Sequence, residues 1–351
     1  MEQIVQQVQN AFFSEENILR YQAIGIGHIN DTYSLMTSQG QYLFQRINHL
    51  VFQEPKSVVE NYHLVFDHLS RTGLQLLLAA PVSTLNQHLF WQDSEGNFWR
   101  MLRFLSKTHS LSQAESVEQV QSAASAVALF LKALNTEPPS GVKATIPNFH
   151  HFQYRYQQYL KILEKDAYGR SKKARAAIQY LEDFRDTLPD LQGLGIDQRL
   201  VHNDPKMSNL LLNDQKEVVA VIDWDTIMPG AFATDFGDMV RTMAVSADEN
   251  ETNLEKVQLI WPYLEAICAH FLPPLAPLFN EQEKATLHLG PAYILLEQML
   301  RFLSDYLDGD QYYKVHYTEQ NLDRALNQMK VHELLSQKEN LIRSFIEKNI
   351  G

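Results

Sequence analysis

Basic residues are scarce in this chain: 30 Lys and Arg stand against 42 Asp and Glu, a formal charge of −12. A net negative surface repels nucleic acid and anionic lipid, so neither is expected as a broad partner. Cysteine is almost missing. Cys268 alone cannot form an internal disulfide, which fits a reducing compartment, and a cytoplasmic location is expected. It lies in an apolar helical pattern and reads as a buried thiol. The N-terminal MEQIVQQVQNAFF has no basic segment ahead of a long apolar one, so no signal peptide is expected. The longest apolar stretch, near LQLLLAAPV, is too short to span a bilayer. Internal repeats and low-complexity linkers are lacking too. What remains is ordinary globular material, 45% hydrophobic and 21% charged over 351 residues. At roughly 150 residues per domain, that length predicts two domains or lobes.

The pattern of the chain changes once. Residues 1–18 read as a short helix with Ile4, Val5, Val8 and Phe12 near one face. From Tyr21 the stretch YQAIGIGHINDTYSLMTSQGQYLFQRIN reads as three strands, with Ser38-Gln39-Gly40 as a hairpin turn. Residues 57–73 form an amphipathic helix closed by a glycine, and HLFWQDSEGNFWRMLRFL gives two more strands around a polar turn. After Ser112 the period is helical: 119–135, about 152–187, then near 253–272, 281–308 and 319–348. Short apolar strands at 200–203, 209–213 and 218–223 interrupt it. The predicted class is α+β: a small, mostly antiparallel β lobe with one main helix over 1–105, and a larger, mainly helical lobe over 106–351.

Residues 200–226, LVHNDPKMSNLLLNDQKEVVAVIDWDT, carry the chemistry. Two short strands joined by NDQKE return the chain on itself. This predicts that Asn209 and Asp223 meet, with Asp204 on the loop before them. Carboxylates about 4 Å apart repel by roughly 1–4 kcal/mol at effective dielectrics of 80 to 20, so the cluster calls for a cation or a shared proton. A hard divalent ion, Mg²⁺ above all, takes one or two carboxylates plus phosphate oxygens. One base and two oxygen ligands is what metal-assisted phosphoryl transfer needs.

The set His202-Asn203-Asp204, Lys206, Asn209 and Ile222-Asp223-Trp224-Asp225 resembles the aminoglycoside phosphotransferase and choline kinase superfamily, whose fold is similar to that of protein kinases. The resemblance implies that Asp204 orients or deprotonates an acceptor hydroxyl. It implies that Asn209 and Asp223 hold Mg²⁺, that Lys206 faces the transferring phosphoryl group, and that Asp225 serves a second metal or the order of the loop. Asp235-Phe236-Gly237 spells a kinase metal motif, but it falls twelve residues after Asp223 and leads into a helix. Asp235, Asp238 and Arg241 are therefore expected to brace the catalytic loop.

On the nucleotide side, Gly25 and Gly27 give a G-x-G, with Asn30 in place of a third glycine and Thr32 just beyond. Backbone N–H groups there could cover the phosphates of ATP. The third strand, QYLFQRIN, lacks the phosphate-contacting lysine that a kinase places there. Gln45 and Arg46 are its polar candidates, and strand alternation lets only one face the cleft. An inward Arg46 could pair with Glu60; an inward Gln45 leaves Glu60 to another partner. Adenine is expected against the connector at Arg103, Phe104 and Ser106.

The stretches GHINDTY, LFQRINHLVF, IDWDTIMPG, DFGDMVR and RFLSDYLDGDQYY, in order from about Tyr21 to the last helix, are similar to the N-acetylhexosamine 1-kinases. That resemblance implies ATP- and Mg²⁺-dependent phosphorylation of an anomeric hydroxyl, with sugar contacts at His28, Asp204, Arg241, Arg301 and Tyr312. Thr242, Pro205 and Ser208 depart from the family pattern, which leaves the N-acetyl preference open. A kinase of an amino alcohol or aminoglycoside is the first alternative, and a nucleotide-binding regulatory protein without activity the second. The partners expected are a small-molecule sugar and ATP, on a monomer or weak homodimer.

Overall fold

The computed structural model describes the chain apart from Met1, Glu15, Glu16, residues 25–28, Pro189, Asp190, Gln192, Gly193, Asp197 and Gly351. The N-terminal part runs α1 (Glu2–Phe12), β1 (Ile18–Ala23), β2 (Asp31–Thr37), β3 (Gln41–Arg46), α2 (Pro55–Leu69), β4 (Pro81–Val82), β5 (Trp91–Gln92) and β6 (Phe98–Arg103). The strands form one antiparallel sheet in the order β1-β2-β3-β6-β4, with β5 on β6. Local chemistry makes its turns. Gln39 N–H donates to the Thr37 hydroxyl at 3.2 Å and Thr37 N–H to the Gly40 carbonyl at 2.8 Å. Asp93 accepts the N–H groups of Glu95 and Asn97, both at 2.9 Å, around Gly96, whose φ of +86° suits glycine.

Alternation gives the sheet two faces. Tyr42, Phe44, Trp99 and Met101 pack under Val8 and Phe12 of α1, and the Phe44 and Trp99 rings stack at 4.5 Å. Leu43 and Leu102 face the other way, toward α2 and the main core. Tyr62 of α2 stacks on Trp224 at 4.7 Å, and Leu77 N–H donates to Val219 O at 2.7 Å. The sheet is therefore fastened to the second part of the chain beside Asp223.

That part runs α3 (Val117–Thr136), α4 (Phe152–Lys165), α5 (Arg175–Phe184), β7 (Arg199–Val201), β8 (Leu210–Leu212), β9 (Val218–Val221), β10 (Met228–Gly230), α6 (Phe232–Met243), α7 (Trp261–Leu275), α8 (Glu281–Thr286), α9 (Gly290–Leu307), α10 (Gln320–Ser336) and α11 (Glu339–Ile350). β8 and β9 form the expected hairpin, and β10 pairs with β7. Helices α6 and α9 meet at two glycines. A Cβ on Gly237 would lie 2.3 Å from Gly290 O, and one on Gly290 would lie 2.0 Å from Ala233 O. This close approach sets Arg241 on α6 and Arg301 on α9 in facing helices.

The outlines differ from expectation where local chemistry breaks a pattern. The first helix stops at Phe12, and the residues after it supply β1. The long polar helix divides at Asp166, which is left-handed at φ +37° and accepts the N–H groups of Arg170 and Ser171. The stretch 281–308 divides at a short 3-10 turn before Gly290-Pro291. Among the described residues no helix is long and apolar enough to cross a membrane.

Candidate active site

β7 delivers the loop that carries Asp204. Asp235, in the first turn of α6, accepts the backbone N–H groups of His202 at 2.8 Å and Asn203 at 2.7 Å. Thr226 Oγ1 donates to His202 O at 2.7 Å, and Asn203 Nδ2 returns a bond to Thr226 O at 2.8 Å. His202 donates from Nε2 to Ile222 O at 2.9 Å, while its Nδ1 accepts Asp204 N–H at 3.3 Å. Burial lowers its pKa, so the ring is neutral and one tautomer satisfies both bonds. The bracing role expected of Asp235 is what these bonds describe.

The hairpin makes the predicted meeting. Ile222 N–H donates to Asn209 O at 2.9 Å, setting Asn209 beside Asp223. Asn209 Nδ2 donates to the Asp204 carbonyl at 2.9 Å and carboxylate at 3.0 Å, and Lys206 Nζ lies 2.7 Å from the same carboxylate oxygen. Burial opposes ionisation of Asp204, but Lys206 outweighs it, by charge and hydrogen bond, and Arg241 adds to the effect. The carboxyl is held below its usual range. Asp223 is the contrast. Its backbone is left-handed at φ +63°, a conformation that costs a non-glycine residue about 1–3 kcal/mol and marks functional sites. Its side chain opens into the cleft with no hydrogen bond or ion pair among the described residues. The side chain still reaches solvent, but the walls of the cleft weaken its hydration. With the like charges of Asp225 and Asp204, this pushes its carboxyl up to about 7.

These donors fit magnesium. Asn209 spends its nitrogen on Asp204, which leaves its amide oxygen without a protein partner among the described residues. Asp223 is a carboxylate short of a cation. No three His, Cys, Asp or Glu side chains among the described residues converge on a metal-sized point. Two hard oxygen donors suffice for an ion that takes its remaining ligands from phosphate and water.

Asp225 is expected to serve a second metal or the order of the loop. The structure buries it and engages both its oxygens: Arg100 Nη1 lies 2.5 Å from Oδ1 and Asn30 Nδ2 donates to Oδ2 at 2.6 Å. Asp225 thus ties the sheet to the catalytic hairpin. Gln45, and not Arg46, faces this side, since Arg46 shares a sheet face with Tyr42 and Phe44. There it pairs with Asp31 and stays half exposed. The Arg46–Glu60 pair does not form. Glu60 bonds instead with Lys143 at 3.3 Å and Lys56 at 3.7 Å. Gln45 donates to Thr32 Oγ1 at 3.1 Å and accepts from Arg100 Nε and Nη2 at 3.0 and 2.8 Å. Gly25, Gly27 and His28 lie outside the described residues. At the connector, the N–H groups of Arg103 and Phe104 go to Ala80 O and Gln41 O, the Arg103 guanidinium covers the Tyr42 ring at 4.5 Å, and Ser106 is exposed.

The residues expected on the acceptor side stand in paired charges. Arg241 holds Asp238 at 2.7 Å and Glu249 at 3.1 Å. Arg301 does not reach Asp305, which instead accepts the N–H groups of Tyr312 at 2.7 Å and Tyr313 at 2.9 Å and so fixes their loop. Arg301 lies among aromatic rings, with Phe149 at 5.0 Å and Tyr312 at 5.8 Å, and 3.8 Å from buried Glu297. Glu297 also takes Arg155 at 3.0 Å and His150 at 3.3 Å, and His150 Nε2 bonds Asn203 O at 3.1 Å beside Asp204. Burial opposes the Glu297 charge, yet Arg301 and then His150 bring its carboxyl down to about 2. Sequence reasoning missed Glu297, Glu249, His150 and Arg100. A signal existed for Glu297: a lone acid in the apolar run AYILLEQML, four residues before Arg301.

An antiparallel β lobe over a helical lobe, with an Asp-Lys-Asn loop facing a left-handed Asp, defines a protein-kinase-like phosphotransferase. Residues 20–265 match the phosphotransferase enzyme family, and the chain belongs to it. Its fold is that of solved relatives of low identity. A microcompartment-associated aminopropanol kinase is 16% identical with a TM-score of 0.67, covering 97% of this chain and 99% of its own. Spectinomycin phosphotransferase, solved with ADP and spectinomycin, is 14% identical with a TM-score of 0.59, covering 100% and 98%. A choline kinase from Cryptosporidium parvum Iowa II is 15% identical with a TM-score of 0.54, covering 99% of each chain.

Proposed function

We propose that this phosphotransferase moves the γ-phosphoryl group of ATP to the anomeric hydroxyl of an N-acetylhexosamine, giving a sugar 1-phosphate. The observation that carries the transfer is the meeting of Asp204, Lys206, Asn209 and Asp223 in the cleft beneath the β lobe. Asp204, held ionised by Lys206, accepts a hydrogen bond from the acceptor hydroxyl and takes its proton as the O–P bond forms. Such a group contributes about 10²–10⁴ in rate. Magnesium held by Asn209 and Asp223 would neutralise charge on the β- and γ-phosphates. Lys206 pairs with Asp204 and balances its charge.

The sugar reading draws support from the acceptor side and from the motif resemblance. Asp238, Glu249 and Glu297 each have an arginine partner, so the charge of these three carboxylates does not call for a cationic acceptor. Arginines held by acids, beside the half-exposed ring of Tyr312, suit a neutral polyol with bidentate hydrogen bonds and ring stacking. An amino alcohol is the second reading, favoured by the aminopropanol and choline kinases of the same fold. The experiment is an acceptor panel with MgATP, following ADP release and locating the new phosphate by phosphorus NMR. Phosphate on C1 of N-acetylglucosamine or N-acetylgalactosamine is expected. Phosphate on C6 refutes the regiochemistry, and turnover confined to choline or aminopropanol selects the second reading.

A further inference from the structure

We propose that Arg100 is the phosphate-contacting cation of this enzyme, supplied from β6 in place of the lysine that β3 lacks. The inference rests on the reading of ATP as donor.

Arg100 lies directly opposite Gln45 in the β3–β6 register, one strand away from where the missing lysine belongs. Both side chains point to the α2 side of the sheet, toward the turn of Asp223 and Asp225. The other cations of β3 and β6 are spent on the opposite face: Arg46 on Asp31 and Arg103 on Tyr42. In the catalytic loop, Lys206 is closed on Asp204.

The guanidinium is held in a defined pose. Gln45 Oε1 takes Nε and Nη2, Asp225 takes Nη1, and the Tyr62 ring lies 5.0 Å from its centre. Among the described residues these contacts use three of its five N–H groups, which leaves one on each terminal nitrogen for a further acceptor. The group is buried, and a buried cation retained at this spot needs an anionic partner. Asp225 supplies one charge, and Asp223 adds to the field that stabilises the cation. Asn30, just before β2, grips the second Asp225 oxygen, so Arg100, Asp225 and Asn30 form one chain of contacts from β6 through the Asp223 turn to β2. Glutamine at 45 thereby has a purpose: a lysine there would crowd a second cation against Arg100, whereas the amide oxygen accepts two of its N–H groups.

The test is a binding ladder of adenosine, AMP, ADP and ATP with Mg²⁺, measured by calorimetry on the parent protein, Arg100→Gln and Arg100→Lys. Loss of charge-assisted bonds to phosphate is expected to weaken ADP and ATP by roughly 10- to 100-fold in Arg100→Gln. Adenosine should stay within about twofold, and Arg100→Lys should recover most of the phosphate preference. A merely structural role would lower all four affinities together, and that result, or an unchanged ladder, overturns the proposal. Should Arg100→Gln fail to fold, a crystal structure of the parent with ADP decides. An Arg100 nitrogen within hydrogen-bond distance of a phosphate oxygen supports the assignment, and a guanidinium bonded only to Gln45 and Asp225 overturns it. A parent protein that binds no adenine nucleotide overturns the donor reading and this one together. Parent binding with a flat response in the variants overturns this one alone.

Discussion

The phosphate side and the acceptor side of the cleft treat charge in opposite ways. Beside β8 and β9, Asp223 has no cation of its own and its carboxyl sits near 7. Further along the chain, Asp238, Glu249 and Glu297 are each closed on arginine. Carboxylates left in excess prepare a place for charge that arrives with a ligand. Carboxylates already neutralised hold arginines still, so that those arginines can meet hydroxyls without reorganising. The proposed function assigns a triphosphate with its metal to the first region and an uncharged acceptor to the second.

The comparison breaks most visibly at Asp223. Asp223→Asn should lower kcat/KM by about 10²–10³, the several kcal/mol a metal supplies at a phosphoryl centre. It should not lower Tm, because it relieves repulsion. A variant that is active but thermally weakened would show that Asp223 is structural. Next in size is Arg301→Ala, which should raise the acceptor KM by about tenfold, a bond to a charged group being worth roughly 1.5–3 kcal/mol. The KM for ATP should not change, and a shift in both constants would erase the division between the two sides.

The paired side can be sharpened through pH. Glu297 titrates near 2 in the folded chain against an ordinary 4.5, because Arg301, Arg155 and His150 face it. A depressed carboxylate stabilises fully above its unfolded pKa and loses that contribution as pH falls through the folded value. At the limit this amounts to about 3 kcal/mol. Thermal scans from pH 6 to 3 should therefore show a steeper fall in the parent than in Glu297→Gln. Parallel curves would mean that the cluster is not holding the charge. Smallest of all, Arg46→Ala should cost about 0.5 kcal/mol or less, since its pair with Asp31 is half exposed. A loss comparable to that of a buried pair would place Arg46 in the cleft after all.

Much of this was legible in the residues because it is local. The hairpin from Asn209 to Asp223 follows from turn chemistry between two apolar strands, and the separate duty of Asp235 follows from its position at the head of a helix. The turns at Ser38-Gln39-Gly40 and around Gly96 announce themselves in the same way. What stayed hidden needs partners far apart in the chain. Nothing near Arg100 in FWRMLR points to Asp225, 125 residues on. The two faces of β3 could not be told apart until α1 covered Tyr42 and Phe44. β10 is three residues long and pairs with β7 across the catalytic hairpin, too short to leave a periodic signal.

In the proposed transfer Asp204 positions an acceptor hydroxyl against the phosphoryl group and receives its proton. Single-turnover phosphoryl transfer by Asp204→Asn, with acceptor and MgATP both saturating, tests it most directly. A rate about 10²–10⁴ below the parent, with ATP still bound, is the expected result. A rate close to the parent's would contradict it.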